Sequence, residues 1–241
     1  MQLLADGSSI IKDSWPHTAN VVVHVLFGAL ALVLGLVQLV TRKGGASHRA
    51  RGRWFLGSVC MVVGTAATGI VLFRPRADLV AVTLLTAYWA WSGLRALRVR
   101  NVGPVAQDAL VSVCALVAPV LLVLYLQTVR VPWAPAVVYS TLGTLVVVSL
   151  YDLARFTFPA RWFETLWLYE HLVKMIGAHS AVITAFSGTV LWRWSPYSQV
   201  LSSIVWTAFM ITFVIYVRRR TVRKIVIEGR AGRAAPRETM A

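Results

Sequence analysis

Charged residues are scarce in this chain of 241 residues: they make up 14% of it, and only nine of them are acidic. A soluble domain is about a quarter charged, so these groups are too few to cover a water-soluble globule of this size. Two cysteines are too few for the disulfide framework of a small secreted protein. A hydrophobic content of 58% excludes an intrinsically disordered chain. The class that is left is a membrane protein.

Long uncharged segments lie between the charged residues. A hydrocarbon core about 30 Å thick needs about 20 helical residues, with a range of about 17–25. Six segments reach that length, and the third extends to about residue 97 because Arg95 can snorkel to the headgroups. The sequence therefore predicts an all-α, polytopic membrane bundle of about seven transmembrane helices. Their apolar parts are the runs 14–41, 54–73, 79–94, 109–129, 131–151, 175–192 and 194–217.

The distribution of lysine and arginine predicts the orientation. With seven spans, loops 42–53, 95–107 and 152–167 share one face with the tail. That face holds 18 basic residues and the other holds five, with Lys174 assigned to neither. Because cytoplasmic loops are enriched in Lys and Arg, the amino terminus is expected outside and the carboxyl terminus in the cytoplasm. The predicted division is an extracytoplasmic segment 1–18, a transmembrane domain 19–217, and a basic, partly disordered tail 218–241.

The basic excess gives a formal net charge of +15. Basic clusters beside membrane helices usually contact anionic lipid headgroups, at about 1 kcal/mol per residue. Since no nucleic-acid recognition fold accompanies the charge, the predicted partners are the bilayer and its anionic cytoplasmic headgroups, and not nucleic acid. Whether the chain forms a homo-oligomer is left open.

Polar and small residues share one face of the first helix. They follow each other at intervals of four and three residues, which keeps them within one narrow stripe. One interpretation is a packing seam, because small residues let helices approach closely. The other is that the small residues make room for a ligand contacted by His24 or Gln38. The stripe consists of His24, Gly28, Ala31, Gly35, Gln38 and Arg42.

The sixth helix carries a second polar cluster. Glu170 and Lys174 stand four residues apart, in the order that favours an ion pair. Lys174 either snorkels to the headgroup level or is buried, and His171 lies beside both on the helix. His179 is separated from any interface by at least five apolar residues, so it is either a ligand or a hydrogen-bonded packing element. Polar groups within a bilayer are functional candidates by default.

Further polar candidates gather on the cytoplasmic side. His48 lies in the arginine-rich loop, and Asp108 and Asp152 begin and end helices there. Together with Glu170 and His171 they form either one polar vestibule or a set of interfacial ion pairs that fix the topology. Cys60 and Cys114 are expected to be buried thiols and not a metal site. The polar candidates outside the histidine–glycine set are Gln38, Arg42, His48, Arg95, Asp152, Glu170 and Lys174.

Several short motifs lie along these helices and loops: His24, Gly28, Ala31, Gly35, Arg42-Lys43-Gly44-Gly45, His48-Arg49, Gly52-Arg53, Tyr88, Gly93, Arg95, Glu170-His171, Met175, Gly177 and Thr184-Ala185-Phe186. Together they resemble an uncharacterised bacterial family of predicted membrane proteins, the domain of unknown function DUF 2306. The similar stretches cover about residues 20–100 and 165–190, and the family pattern has a tyrosine where this chain has His179. The resemblance implies a polytopic protein of a bacterial inner (plasma) membrane and no assigned activity.

Three functional hypotheses follow. The first is a membrane redox component that binds haem or a transition metal, because a haem in a helix bundle needs inward-facing histidines beside small residues. Its cofactor-binding candidates are His24, His171, His179, Gly28 and Gly35. The second is a carrier or channel for a small solute, an anion or a proton, with Glu170, His171 and Lys174 as a titratable gate. The third is a non-catalytic protein that binds lipid or a partner.

Overall fold

The computed structural model describes residues 14–73, 76–128, 134–158 and 163–234, and within these ranges the side chains of all but 163–165 and 221–234. These ranges contain helices and turns and no strand. Most of the predicted segment 1–18 and the end of the predicted tail lie outside them. Seven long helices follow one another: α1 Trp15–Val40, α2 Ala46–Thr68 with a π-helical turn Gly69–Phe73, α3 Ala77–Arg98, α4 Ala106–Thr128, α5 Pro135–Ala154 with a 3₁₀ turn Arg155–Thr157, α6 Phe163–Val190, and α7 Tyr197–Ala234 after a 3₁₀ turn Trp192–Trp194.

The helices have the length and composition of membrane spans. Six of them, α1 to α5 and α7, are both long enough and apolar enough to cross a bilayer. The predicted all-α, multi-pass membrane protein is therefore confirmed at this level. α6 has 28 residues, about 42 Å at 1.5 Å per residue, and it carries the buried charges described below.

Short turns connect antiparallel neighbours, and the first turn shows how its sequence ends one helix and starts the next. Gly44 has φ +80°, a conformation that a residue with a Cβ rarely adopts. The Lys43 ammonium donates to the carbonyl oxygens of Gln38 and Leu39, which lie in the last turn of α1. We call the end of the bundle formed by residues 41–45 and 99–105 the basic end.

The α3 and α6 helices form the centre of the bundle. α3 packs mainly against α6, and α1 mainly against α2. Gly177 of α6 lies against the ring of Trp89 in α3, so closely that a Cβ would come within 2.7 Å of the indole. More than half of the apolar window of α3 is buried, whereas none of that of α7 is. Charged side chains on the facing sides of α3 and α6 therefore lie in the interior, and α7 packs at the outside of the bundle against α6.

The two cysteines differ from the sequence-based expectation. Cys60 in α2 and Cys114 in α4 are free thiols and both are exposed on the outer faces of their helices. The prediction that they are buried was wrong, because an apolar run does not show which side of a helix faces its neighbours. On a face that contacts lipid, a cysteine is a small apolar residue that needs no partner in the protein.

Candidate functional site

Four charged side chains from α5 and α6 meet in the interior of the bundle. Asp152 lies in the last turn of α5, Arg155 begins the 3₁₀ turn that follows, and Glu170 and Lys174 lie one turn apart on α6. Their side chains are between 1% and 4% exposed. We call these four residues the buried quartet. It holds two carboxylates and two cations, so its formal charge is zero.

The distances within the buried quartet tie the two helices together. Lys174 Nζ donates to Asp152 Oδ1 over 2.5 Å, and Arg155 Nη1 donates to Glu170 Oε2 over 2.7 Å. Two longer contacts complete the ring: Arg155 Nε lies 3.3 Å from Asp152 Oδ1, and Lys174 Nζ lies 3.6 Å from Glu170 Oε2. Each cation thus lies between both carboxylates, and each carboxylate between both cations.

Two tyrosines donate hydrogen bonds to the remaining oxygens of the two carboxylates. Tyr88 of α3 donates its hydroxyl to Asp152 Oδ2 over 2.8 Å and lies 2.9 Å from the hydroxyl oxygen of Ser112 in α4. Tyr151 of α5 donates to Glu170 Oε1 over 2.9 Å. All four carboxylate oxygens therefore accept a hydrogen bond, which is the condition under which buried charges are tolerated.

Arg155, unlike the two carboxylates, has polar atoms that make no hydrogen bond. It is 1% exposed, yet its Nη2 has no hydrogen-bond partner within the described part of the chain, and its Nε has only the 3.3 Å ion-pair contact with Asp152, which is no hydrogen bond. A guanidinium carries five N–H donors, and leaving buried donors unpaired costs about 1–3 kcal/mol each. The site therefore holds donor capacity that a water molecule or a solute can use.

A second ion pair extends the network toward the basic end. Arg95 of α3 binds Asp108 of α4 through two hydrogen bonds, of 2.7 and 2.9 Å, and Asp108 Oδ2 also accepts the N–H of Val105 over 2.9 Å. Asp108 is close enough to Arg155 for their charges to interact. The polar interior thus reaches from Lys174 to the turn between α3 and α4.

The three histidines proposed as cofactor ligands, His24, His171 and His179, have different partners in the structure. His24 Nδ1 lies 2.9 Å from Thr65 Oγ1 in α2, and the Thr65 hydroxyl donates to the Met61 carbonyl. His171 Nδ1 donates to the Gly93 carbonyl over 2.9 Å. Since each of these nitrogens is held by a neighbouring helix, the two rings are fixed as contacts between helices.

His179 fills the space above the glycine stripe of α1. It is 2% exposed, its Nε2 donates to the Leu32 carbonyl over 3.0 Å, and a Cβ on Gly35 would overlap its ring. Gly28 makes no such close approach, since its nearest neighbour is a methyl group of Val62 at 4.0 Å. The stripe is therefore the packing face of α1, with an imidazole in place of the missing side chain at Gly35.

The remaining polar candidates lie near the basic end. Gln38 Nε2 donates to the His48 carbonyl over 2.9 Å, and Arg42 is exposed. Of the predicted vestibule, the structure brings Asp152 and Glu170 together through Lys174 and Arg155. Asp108 lies close enough for its charge to act on Arg155. His171 binds the backbone of α3 instead, and His48 lies at the junction of α1 and α2.

Sequence reasoning missed Arg155 and Tyr151 and assigned no role to Tyr88 beyond the family resemblance. Arg155 was counted among the loop cations, although it stands three residues after Asp152, a spacing that places both on one side of a helix. Tyr151 immediately precedes Asp152. The signal that could have found them is the Tyr151-Asp152-x-x-Arg155 pattern at a helix end.

A cavity of about 410 Å³ lies at the opposite end of the bundle from the basic end. Arg76 and Asp78 stand at the start of α3 and pair there over 2.6 Å, Thr184 comes from α6, and Gln199 comes from α7. The amide of Gln199 occupies the place that a Cβ on Gly188 would take. Since α3 and α6 also contribute to the quartet network, one pair of helices reaches both sites.

No family model, no curated protein and no solved structure matches the chain. The site is therefore defined by its geometry alone.

Proposed function

We propose that this integral membrane protein is a carrier or channel for protons or a small solute, and that the buried quartet is its gate. The observation that carries the proposal is the group of four ionisable side chains, each at most 4% exposed, in the interior of an apolar bundle. Charges in such a place are costly and mark ion pathways and proton relays. A purely structural contact would be served as well or better by apolar side chains of similar volume.

The cavity at the far end supports the same proposal. Its wall combines charged and amide groups with apolar side chains from Leu79 and Val82, as expected of a site for a small polar solute. α3 and α6 run from this cavity to the quartet, and Arg155 has unpaired donors there. A solute leaving the cavity along these helices would meet a group able to bind it.

The proposal includes the topology and location that the sequence predicts. In it, α6 also crosses the bilayer, which brings the number of spans from six to seven, and the amino terminus is outside. The basic end then faces the cytoplasm and the anionic headgroups of a bacterial inner membrane. The DUF 2306 resemblance belongs to the proposal too, and it favours a bacterial membrane protein without indicating its activity.

Flux into proteoliposomes tests the proposal. Purified protein is reconstituted, and proton flux is followed with an enclosed pH dye under a potassium diffusion potential, with nitrate flux as a second assay. We expect flux above that of protein-free liposomes. Lys174→Gln and Asp152→Asn should each lower the flux at least tenfold, which corresponds to about 1.4 kcal/mol in the barrier to transport. Arg98→Gln, which removes an exposed cation at the end of α3, is the matched control and should retain flux. Equal flux in all variants would show that the quartet is no gate.

A haem or metal centre is the alternative proposal, and its support comes from the sequence. Within the described ranges no group of three or more His, Cys, Asp or Glu side chains converges, and His24, His171 and His179 are each bonded to another helix. An absorption spectrum and a metal analysis of the purified protein separate the two proposals. A Soret band that His24→Ala abolishes would establish the redox component and displace the carrier.

A further inference from the structure

Four polar side chains at the junction of α1 and α2 each keep a buried polar atom that has no hydrogen-bond partner within the described ranges. The atoms are Gln38 Oε1, Thr41 Oγ1, His48 Nδ1 and Arg51 Nε. We call these four residues the polar corner. It supplies four of the ten such atoms that the described side chains contain. Because native proteins pair nearly all buried polar groups, such a concentration indicates a place that a ligand completes.

Gln38, His48 and Arg51 of the polar corner are linked to one another, and Thr41 stands three residues after Gln38 at the end of α1. Gln38 donates its amide to the carbonyl of His48, and His48 is close enough to Arg51 and His171 for their charges to act on its ring. Gly52 lets α2 pack closely against the Gln38 amide, since a Cβ there would stand 3.1 Å from Gln38 Nε2. The corner therefore lies where α1, α2 and α6 meet at the basic end.

The charge around the polar corner has one sign. Segment 41–53 holds five basic residues and no acidic one. The carboxylates whose side chains the structure describes are paired elsewhere: Asp78 with Arg76, Asp108 with Arg95, Asp152 with Lys174, and Glu170 with Arg155. Counter-charge from these residues is thus not available to the corner, and an anion from outside the chain can supply it.

The unpaired atoms define the chemistry of that anion. Arg51 Nε only donates, the Thr41 hydroxyl and the His48 ring can donate or accept, and Gln38 Oε1 only accepts. A ligand must therefore offer several acceptor oxygens and at least one hydroxyl hydrogen. A phosphate group near neutral pH fits, because its second pKa near 6 leaves part of it as P–OH. Sulfate has acceptor oxygens alone.

We propose that the polar corner binds a phosphate group, either free phosphate or the monoester headgroup of an anionic lipid. The site is independent of the carrier proposal, since none of its four residues belongs to the buried quartet. A charge-assisted hydrogen bond from Arg51 Nε places the group, and Gln38 Oε1 distinguishes a protonated oxygen from a bare one.

Ligand-induced stabilisation tests the proposal on the purified full chain. Sodium phosphate is titrated in detergent against sodium sulfate at matched ionic strength, and the apparent Tm is read. In a second arm, nanodiscs containing phosphatidic acid are compared with nanodiscs of phosphatidylcholine, both in a buffer without free phosphate. A rise in Tm with phosphate assigns the site to the free ion, a rise with phosphatidic acid alone assigns it to the lipid, and either result supports the proposal.

Two variants separate a built site from a diffuse basic surface. Arg51→Gln should weaken the response at least tenfold, because charge-assisted hydrogen bonds are the strong ones. Arg53→Gln, the same change at an exposed position two residues later, should leave it intact. If Arg51→Gln does not fold, His48→Ala replaces it in the comparison. Equal loss in both arginine variants, an equal response to sulfate, or no response to either ligand would overturn the proposal.

Discussion

At the scale of single residues, the contact between Gly35 and His179 gives the sharpest test of the packing. A methyl group on Gly35 would overlap the imidazole, whereas one on Gly28 would meet only a Val62 methyl group at 4.0 Å. Gly35→Ala should therefore destabilise the protein by about 1–3 kcal/mol, the usual range for overpacking. Gly28→Ala on the same stripe should be neutral or slightly stabilising. Thermal unfolding in detergent measures both.

Replacing His179 as well should relieve the overlap that Gly35→Ala creates. His179→Ala removes the ring that the new methyl group would strike, so the double variant Gly35→Ala/His179→Ala should be less destabilised than the sum of the two single changes. Residues in contact commonly show coupling of about 0.5–3 kcal/mol. Strict additivity would mean that the two side chains do not share this space.

The buried quartet makes a second prediction at the residue scale. Lys174→Met leaves two carboxylates against one cation in a place that is nearly inaccessible to water, and breaking a buried pair in this way costs about 3–5 kcal/mol. Asp152→Leu/Lys174→Met removes one charge of each sign and leaves Arg155 with Glu170. Apparent Tm values in nanodiscs should place the double variant above the single one. The exposed change Arg98→Gln should stay within about 0.5 kcal/mol of the parent. A double variant no more stable than Lys174→Met would contradict the charge-balance argument.

At the scale of elements, the contact between α3 and α6 depends on Gly177, because Trp89 Cδ2 lies 2.7 Å from the position of a Cβ. An indole ring buried to 6% exposure cannot swing away as a flexible side chain can. Gly177→Ala should separate the two helices and lower the apparent Tm, at about 1–3 kcal/mol. Gly143→Ala in α5 has open space around it and should stabilise by up to about 1 kcal/mol. Similar effects of the two changes would remove the argument for a tight α3–α6 contact.

Helix boundaries show what an uncharged run can and cannot predict. The run 14–41 corresponds closely to α1, Trp15–Val40, because charges flank that helix on both sides. α6 begins at Phe163 and not at 175, and α2 begins at Ala46 and not at 54. An uncharged run measures the part of a helix that suits lipid, whereas Arg, Lys and Glu are good helix formers and continue the backbone hydrogen bonds.

At the scale of the whole molecule, the class of protein was predictable and the site was only partly so. Composition alone indicates lipid as the solvent, and the i, i+4 spacing of Glu170 and Lys174 indicates an ion pair. The position of Arg155 could not be predicted, because a charge at a helix end turns inward or outward according to its partners on another helix. The pairing of Asp152 with Lys174 joins residues 22 positions apart in the chain, and no local pattern encodes that contact.

The number of spans is the property on which the direction of the whole bundle depends, and α6 decides it. Thr157 precedes α6 and Ser195 follows it, and both are exposed. In a background with Cys60 and Cys114 replaced by serine, Thr157→Cys and Ser195→Cys are labelled separately in intact cells with a membrane-impermeant maleimide. If α6 crosses, Ser195→Cys reacts in intact cells and Thr157→Cys reacts only after permeabilisation, because the positive-inside distribution places the basic end in the cytoplasm.

Val102→Cys, in the turn after α3, is the internal control and should behave like Thr157→Cys, since α4 and α5 return the chain to the same side. Reaction of Thr157→Cys and Ser195→Cys from one side would make α6 a re-entrant or peripheral helix, and the quartet would then lie in a vestibule open to that side.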